Sequence, residues 1–101
     1  MKLSIIIPCF NEINTVLKLI NSVINSPVKD KEIIIVDDFS TDGTRDQLRK
    51  INNEQVRIIY HDKNLGKGAA LKTGFNFASG EICLIQDADL EYDPYDYVKL
   101  I

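Results

Sequence analysis

Four short runs of branched apolar residues, each followed by polar loop residues, constrain this chain more than any other feature. LSIIIP at 3–8, EIIIVDD at 32–38, VRIIYH at 56–61 and EICLIQ at 81–86 are rich in Ile and Val and too short for buried helices. Runs with so little polar alternation are the strands of a sheet covered on both faces. The segments between them read as helices. Ile13, Val16, Leu17, Ile20, Val23 and Ile24 recur at three- and four-residue spacing, which predicts an amphipathic helix over 13–25, with Pro27 beyond its end. STDG after the second run supplies turn and N-cap residues for a helix reaching about residue 52, with Leu48 and Ile51 facing inward. NLGKG leads into a helix whose Ala69, Ala70, Gly74 and Ala78 allow close packing on a sheet, with Gly80 as its cap. Pro94 opens a last helix toward Ile101.

Strand and helix alternating in this way require an α/β, doubly wound, mainly parallel sheet with right-handed crossovers. Ligands of such sheets bind outside the carboxyl ends of the strands, near the point where strand order reverses. That rule selects residues 8–12, 37–40, 61–68 and 87–93, where the polar residues gather. A length of 101 residues suits one domain. The net charge of -3 gives no basic footprint, which argues against a nucleic-acid partner. An acidic protein that handles anionic ligands needs a cation between them. Cys9 and Cys83 form neither a disulfide framework nor a zinc motif and are expected to be small buried hydrophobes in a reduced compartment. No apolar run reaches the roughly 20 residues that span a bilayer, so membrane attachment would have to come from sequence outside this chain.

The densest chemistry lies in QDADLEYDP, where Asp87 and Asp89 sit two apart in extended backbone and project to the same side, while Ala88 leaves room for a ligand. Two carboxylates about 4 Å apart repel by roughly 4 kcal/mol at an effective dielectric near 20. Magnesium or manganese would remove that repulsion and suits such oxygen ligands. Spacing alone leaves open that both are solvated turn acids before Pro94, because D-x-D is short. In VDDFSTDGT, Asp38 ends a strand and can accept hydrogen bonds from a base or ribose, whereas Asp42 reads as a turn or cap residue. Phe10 and Glu12 in PCFNE offer a flat apolar surface and acceptor oxygens. Lys67, at a helix start, could meet a diphosphate, although neither GxxxxGK[ST] nor GxGxxG is present. His61, the only histidine, has no obvious sequence partner and is not expected to be catalytic.

Taken together, SIIIPCFNE, EIIIVDDFSTDGT, NLGKGAALKTGF and GEICLIQDADLEYDP resemble the N-terminal half of family 2 glycosyltransferases. The last two blocks most resemble the polyprenyl-phosphate and dolichyl-phosphate sugar synthases. The resemblance covers nearly the whole chain. It implies a GT-A fold, with residues 1–101 as a nucleotide-sugar-binding part truncated at its C-terminus. It also implies inverting, metal-dependent transfer of a sugar from a UDP- or GDP-sugar to a lipid phosphate or a saccharide. By position, Pro8, Phe10 and Glu12 would form the nucleoside wall, and Val36 and Asp38 would hold base and ribose. Asp87 would touch the ribose or the metal, and Asp89 would bind the metal, with Glu91 standing where relatives often have glutamine. Phe39 replaces the small or polar residue common after the Asp pair.

A lipid phosphate acceptor needs no general base; a saccharide acceptor would need one from beyond Ile101. The implied enzyme works in the cytoplasm, at the cytoplasmic face of a membrane if later sequence spans one. The isolated 101 residues are expected to transfer no sugar and to self-associate through an open sheet edge. The competing class is a donor-binding fragment or regulatory nucleotide-binding module without turnover. A signalling receiver domain fits less well, since its acidic pair follows the first strand and here the pair follows the second.

Overall fold

In the computed structural model, which describes residues 2–86, the chain runs β1 (Leu3–Cys9), α1 (Val16–Ile24), β2 (Lys31–Asp37), α2 (Thr44–Leu48), β3 (Val56–Tyr60), α3 (Lys67–Phe77) and β4 (Ile82–Ile85). All four strands are parallel, in the order β3-β2-β1-β4. The chain winds outward from β1 to β3 and then returns to the other side of β1. Strand order therefore reverses between β1 and β4, which puts the expected ligand crevice at their carboxyl ends. The helix expected from Pro94 lies outside the described residues, as do Asp87, Ala88, Asp89 and Glu91.

Side chains alternate across the strands and so feed two cores. On one face Leu3, Ile5, Ile7 and Cys9 of β1 and Ile33 and Ile35 of β2 pack with Val16, Leu19, Ile20 and Val23 of α1 and Leu48 of α2. On the other, Ile34 and Val36 pack with Ala70 of α3. The small residues of α3 set how closely it lies. A Cβ added to Gly74 would stand 2.5 Å from Ile6 Cγ2, so only glycine lets the helix seat on β1.

The C-terminal end of α3 is tied to the sheet through Glu32, whose Oε2 accepts from Ser4 Oγ at 2.5 Å and from the Ser79 N–H at 2.6 Å. Lys2 Nζ lies 3.8 Å from the other oxygen. Burial pushes the Glu32 carboxyl up, but the Ser4 and Ser79 hydrogen bonds and the Lys2 charge outweigh it and leave the group below its ordinary value. Gly80 belongs to this knot and not to the helix cap expected for it. Its N–H donates to Ser4 Oγ at 2.8 Å, and a Cβ there would meet Lys2 O at 2.8 Å.

Three further expectations are corrected. Helix α1 begins at Val16 and not at residue 13; residues 13–15 form a turn instead, in which the Thr15 N–H closes a three-residue bond onto Glu12 O at 3.1 Å. Helix α2 stops at Leu48, well short of residue 52. Lys50 and Ile51 close three-residue turns onto Gln47 and Leu48, and Asn53 Oδ1 accepts the Gln55 N–H, a local bond that competes with helix. Cys83 is exposed, unlike Cys9, because α3 lies over β1 and β2 and leaves that side of β4 open.

Gly74→Ala should cost about 1 to 3 kcal/mol through overpacking. Gly68→Ala, whose Cβ meets nothing within 4 Å, should be neutral or stabilising by about 0.4 to 1 kcal/mol. Urea unfolding of both variants checks the pair. Because the folded pKa of Glu32 is depressed, its contribution is complete above the unfolded value near 4.5 and is lost as pH falls through the folded one. Melts at falling pH should therefore show the stability advantage of wild type over Glu32→Gln shrinking below pH 4.5. An advantage that stays constant down to the acid limit would contradict this.

Candidate functional site

Parallel strands deliver their following loops to one edge, and three of the four stretches selected from the sequence meet there. The loop after β1 and the loop after β2 are stitched reciprocally. The Asn11 N–H donates to Ser40 Oγ at 2.9 Å, while Asn11 Oδ1 accepts the Thr41 N–H at 2.8 Å. Asp42 closes the seam as the turn residue it was expected to be, with Oδ1 accepting from the Thr44 N–H at 3.0 Å and Oδ2 from the Ile13 N–H at 3.2 Å. Gly43 permits this turn by adopting φ +100, and a Cβ there would strike Ile13 Cδ1.

The two aspartates that end β2 do different work. Asp37 is fully buried, and its Oδ2 accepts from Arg45 Nε at 2.5 Å and from the Ser40 N–H at 3.1 Å. Its Oδ1 has no hydrogen-bond partner among the described residues. The Arg45 guanidinium lies 5.1 Å from the Phe39 ring centroid and 5.3 Å from that of Tyr60, and it also donates to the His61 carbonyl. Phe39 holds φ +65, a left-handed conformation unusual for a bulky residue, and Asn11 holds φ +53.

Asp38 binds the third loop. Its Oδ1 accepts from His61 Nδ1 at 2.9 Å and from the Leu65 N–H at 2.8 Å, and its Oδ2 accepts from the Gly66 N–H at 2.8 Å. Burial pushes this carboxyl up, yet the bonds from Leu65, His61 and Gly66 hold it below the usual carboxylate range. A carboxylate has about four acceptor positions, so these three leave room for about one more donor. Gly66 is in the left-handed region at φ +96, and α3 begins at the next residue, Lys67, on the same edge.

The remaining sequence-selected residues divide by exposure. Phe10 is 43% exposed and Glu12 half-buried, so both present side chains at the edge. Pro8 and Val36 are register partners and buried, and Val36 packs with Ile34 and Ala70. The Val36 side chain therefore belongs to the core, leaving only its backbone for any ligand. Burial raises the Cys9 thiol to about 12, helped by the nearby carboxylates of Asp37, Glu12 and Asp42, so it is no nucleophile. The last described residue, Gln86, still donates its N–H to Ile6 O at 2.9 Å, and Asp87 follows it in the sequence. Among the described residues no group of three or more His, Cys, Asp or Glu side chains could hold a metal ion.

Sequence reasoning missed the partners of His61 and the role of Arg45. The signal lay in the strand register. Asp37 pairs with Tyr60, so the residues that follow each, Asp38 and His61, must emerge side by side.

The chain is 40% identical over 111 residues to the dolichyl-phosphate beta-glucosyltransferase of Saccharomyces cerevisiae, a match covering 98% of this chain and 33% of that one. Among solved structures it resembles S. aureus TarS 1-349 in complex with UDP-GlcNAc, with TM-score 0.86 and 29% identity over 98% of this chain and 29% of that one. It also resembles the mannosyltransferase PcManGT of Pyrobaculum calidifontis in complex with GDP-Man and Mn2+, with TM-score 0.85 and 26% identity over 95% of this chain and 30% of that one. The chain spans about a third of the length of the curated relatives it matches. Its α/β sheet is that of the GT-A glycosyltransferases. The family model for Glycosyl transferase family 2 matches residues 4–101, and the chain belongs to that family.

Proposed function

We propose that this chain is the donor-binding part of a longer enzyme that moves a sugar from a UDP- or GDP-sugar to a polyprenyl phosphate, with inversion and with a divalent cation. The observation that carries this reading is the wall at the carboxyl edge, where loops from β1, β2 and β3 are bonded into one surface beside the switch point. Phe10 offers a flat apolar face, Asp38 an acceptor position, and Lys67 a cation at the start of α3. A nucleoside diphosphate needs these three chemistries, for base, polar edge and phosphate respectively. TarS has been captured with UDP-GlcNAc and PcManGT with GDP-Man, and the yeast relative is named for a dolichyl phosphate.

Asp89, with Asp87 and Glu91, is our assignment for the cation, chosen by sequence spacing and by their place just after β4. A bound magnesium or manganese would supply charge neutralisation for the leaving diphosphate. This chain's own part is to bind and orient the donor, since a lipid phosphate is already anionic at pH 7 and needs no base. The acceptor groups then belong to sequence outside this chain. The same reading places the enzyme in the cytoplasm, against a membrane where the acceptor is a lipid phosphate. Among the described residues no helix is long and apolar enough to cross one.

Calorimetry with UDP and GDP, with magnesium or manganese and then with chelator, should show affinity that depends on the cation, and Asp89→Ala should abolish that dependence. Equal affinity in chelator would remove the metal from this reading. Without metal, Asp38→Ala should weaken nucleoside binding, whereas Asp42→Ala should leave it intact and lower stability by about 0.5 to 2 kcal/mol. Titrations and thermal melts of both variants decide between these roles, and the reverse pattern would sink the assignment.

A further inference from the structure

His61 is built into the edge at both ends of its ring and along its backbone. Nδ1 lies 2.9 Å from Asp38 Oδ1 and Nε2 lies 2.9 Å from Thr73 Oγ1 on α3. Its N–H donates to Asp37 O at 2.8 Å, and its carbonyl accepts from Arg45. The residue is only 8% exposed, so the ring cannot swing out without breaking these bonds.

The tautomer follows from the partners. An ionised carboxylate only accepts, so Nδ1 carries a proton toward Asp38 whatever the charge of the ring. A threonine hydroxyl can donate or accept, so Nε2 is satisfied in the neutral ring as an acceptor and in the charged ring as a donor. His61 can thus hold Asp38 in one orientation without itself being charged. Asp38 in turn holds the Leu65 and Gly66 N–H groups, and with them the turn that starts α3 at Lys67.

We propose that His61 is a positioning residue for nucleotide binding. It fixes the Asp38 carboxylate, and through it the Leu65–Gly66 turn, in the arrangement that the nucleotide meets. This rests on the donor-binding reading above. A purely structural role would instead reside in the bond to α3, and the two ends of the ring separate these cases.

The experiment uses two amides in the full-length protein, with UDP and GDP as probes in the presence of magnesium. In His61→Asn the amide nitrogen stands near the place of Nδ1 and can donate to Asp38. In His61→Gln it stands near the place of Nε2 and can reach only Thr73. Calorimetry should show affinity about tenfold or more weaker in His61→Gln, the scale of losing a hydrogen bond to a charged group. His61→Asn and Thr73→Val should bind within about threefold of wild type while melting lower, since each keeps the Asp38 bond and loses the one to α3. Equal affinities in the Asn and Gln variants would overturn the proposal. A second readout needs no variant to fold. Nitrogen NMR of wild type should find Nδ1 protonated and its signal moved by saturating nucleotide, and a signal that does not move also overturns it. If wild type melts cooperatively but binds neither UDP nor GDP, the donor-binding reading itself fails.

Discussion

A strand buried on both faces has no place for an unpaired polar side chain, and β1, buried from Leu3 to Cys9, imposes that rule on everything around it. Its one polar side chain within that span, the Ser4 hydroxyl, is consumed by Glu32 and the Gly80 N–H. Polar chemistry is therefore driven to the ends of the strands. Because all strands are parallel, both ends could collect it, but the two differ. At the amino edge Lys2, Lys29, Lys31 and Arg57 mingle with Asp30, Glu32 and Glu54 around an open depression. At the carboxyl edge the groups are bonded into one another, and exposed apolar side chains, Phe10, Phe39 and Leu65, stand among them. A polar surface with opposite charges mixed is solvated on its own terms. Exposed aromatic and aliphatic groups beside a buried acceptor are the mixture that lines small-molecule sites.

The paired aspartates show how one sequence motif divides into two physical tasks. Asp37 faces Arg45 in a pair that is nearly dry, with aromatic rings of Phe39 and Tyr60 flanking the guanidinium. Removing one partner of such a pair would strand a buried charge, so it fixes the geometry of the edge more than it adds stability. Asp38 is one residue further on and collects donors from the next loop. It is both anchor and candidate acceptor. Reading it from sequence as a ligand group alone understates how firmly the protein holds it.

The sheet was legible because it rests on period and branching, which the four apolar runs carry almost without exception. The close seat of α3 was legible too, since Ala70 and Gly74 mark it by size. Helix ends were less so, because three-residue turns compete with the terminal helical bonds: one from Thr15 to Glu12 precedes α1, and two at Lys50 and Ile51 follow α2. Nor was the role of His61, whose pairing with Asp38 emerges only once β2 and β3 are in register. Cys83 was misread because an apolar run does not announce which of its strands will have a face uncovered. What local pattern encodes could be read, and what register and loop-to-loop bonding encode could not.

The same loop bonding accounts for the strained backbone. A bulky residue in the left-handed region costs on the order of 1 to 3 kcal/mol, and Phe39 bears that cost while the residue is still 40% exposed. Offsetting it are the Ser40 N–H to Asp37, the exchange between Asn11 and the Ser40–Thr41 segment, and the stacking of Arg45 on the ring. Each such hydrogen bond contributes about 0.5 to 1.5 kcal/mol net and the cation–π contact about 0.5 to 1 kcal/mol, so the sum covers the strain. The bonds join loops from different strands, so neither loop can relax alone. A wall fixed in this way loses little conformational freedom when a ligand arrives, and that saved ordering cost is available as affinity. Among the described residues, positive φ outside glycine occurs at Asn11 and Phe39, both on this edge, which is what a site shaped in advance of the proposed ligand requires.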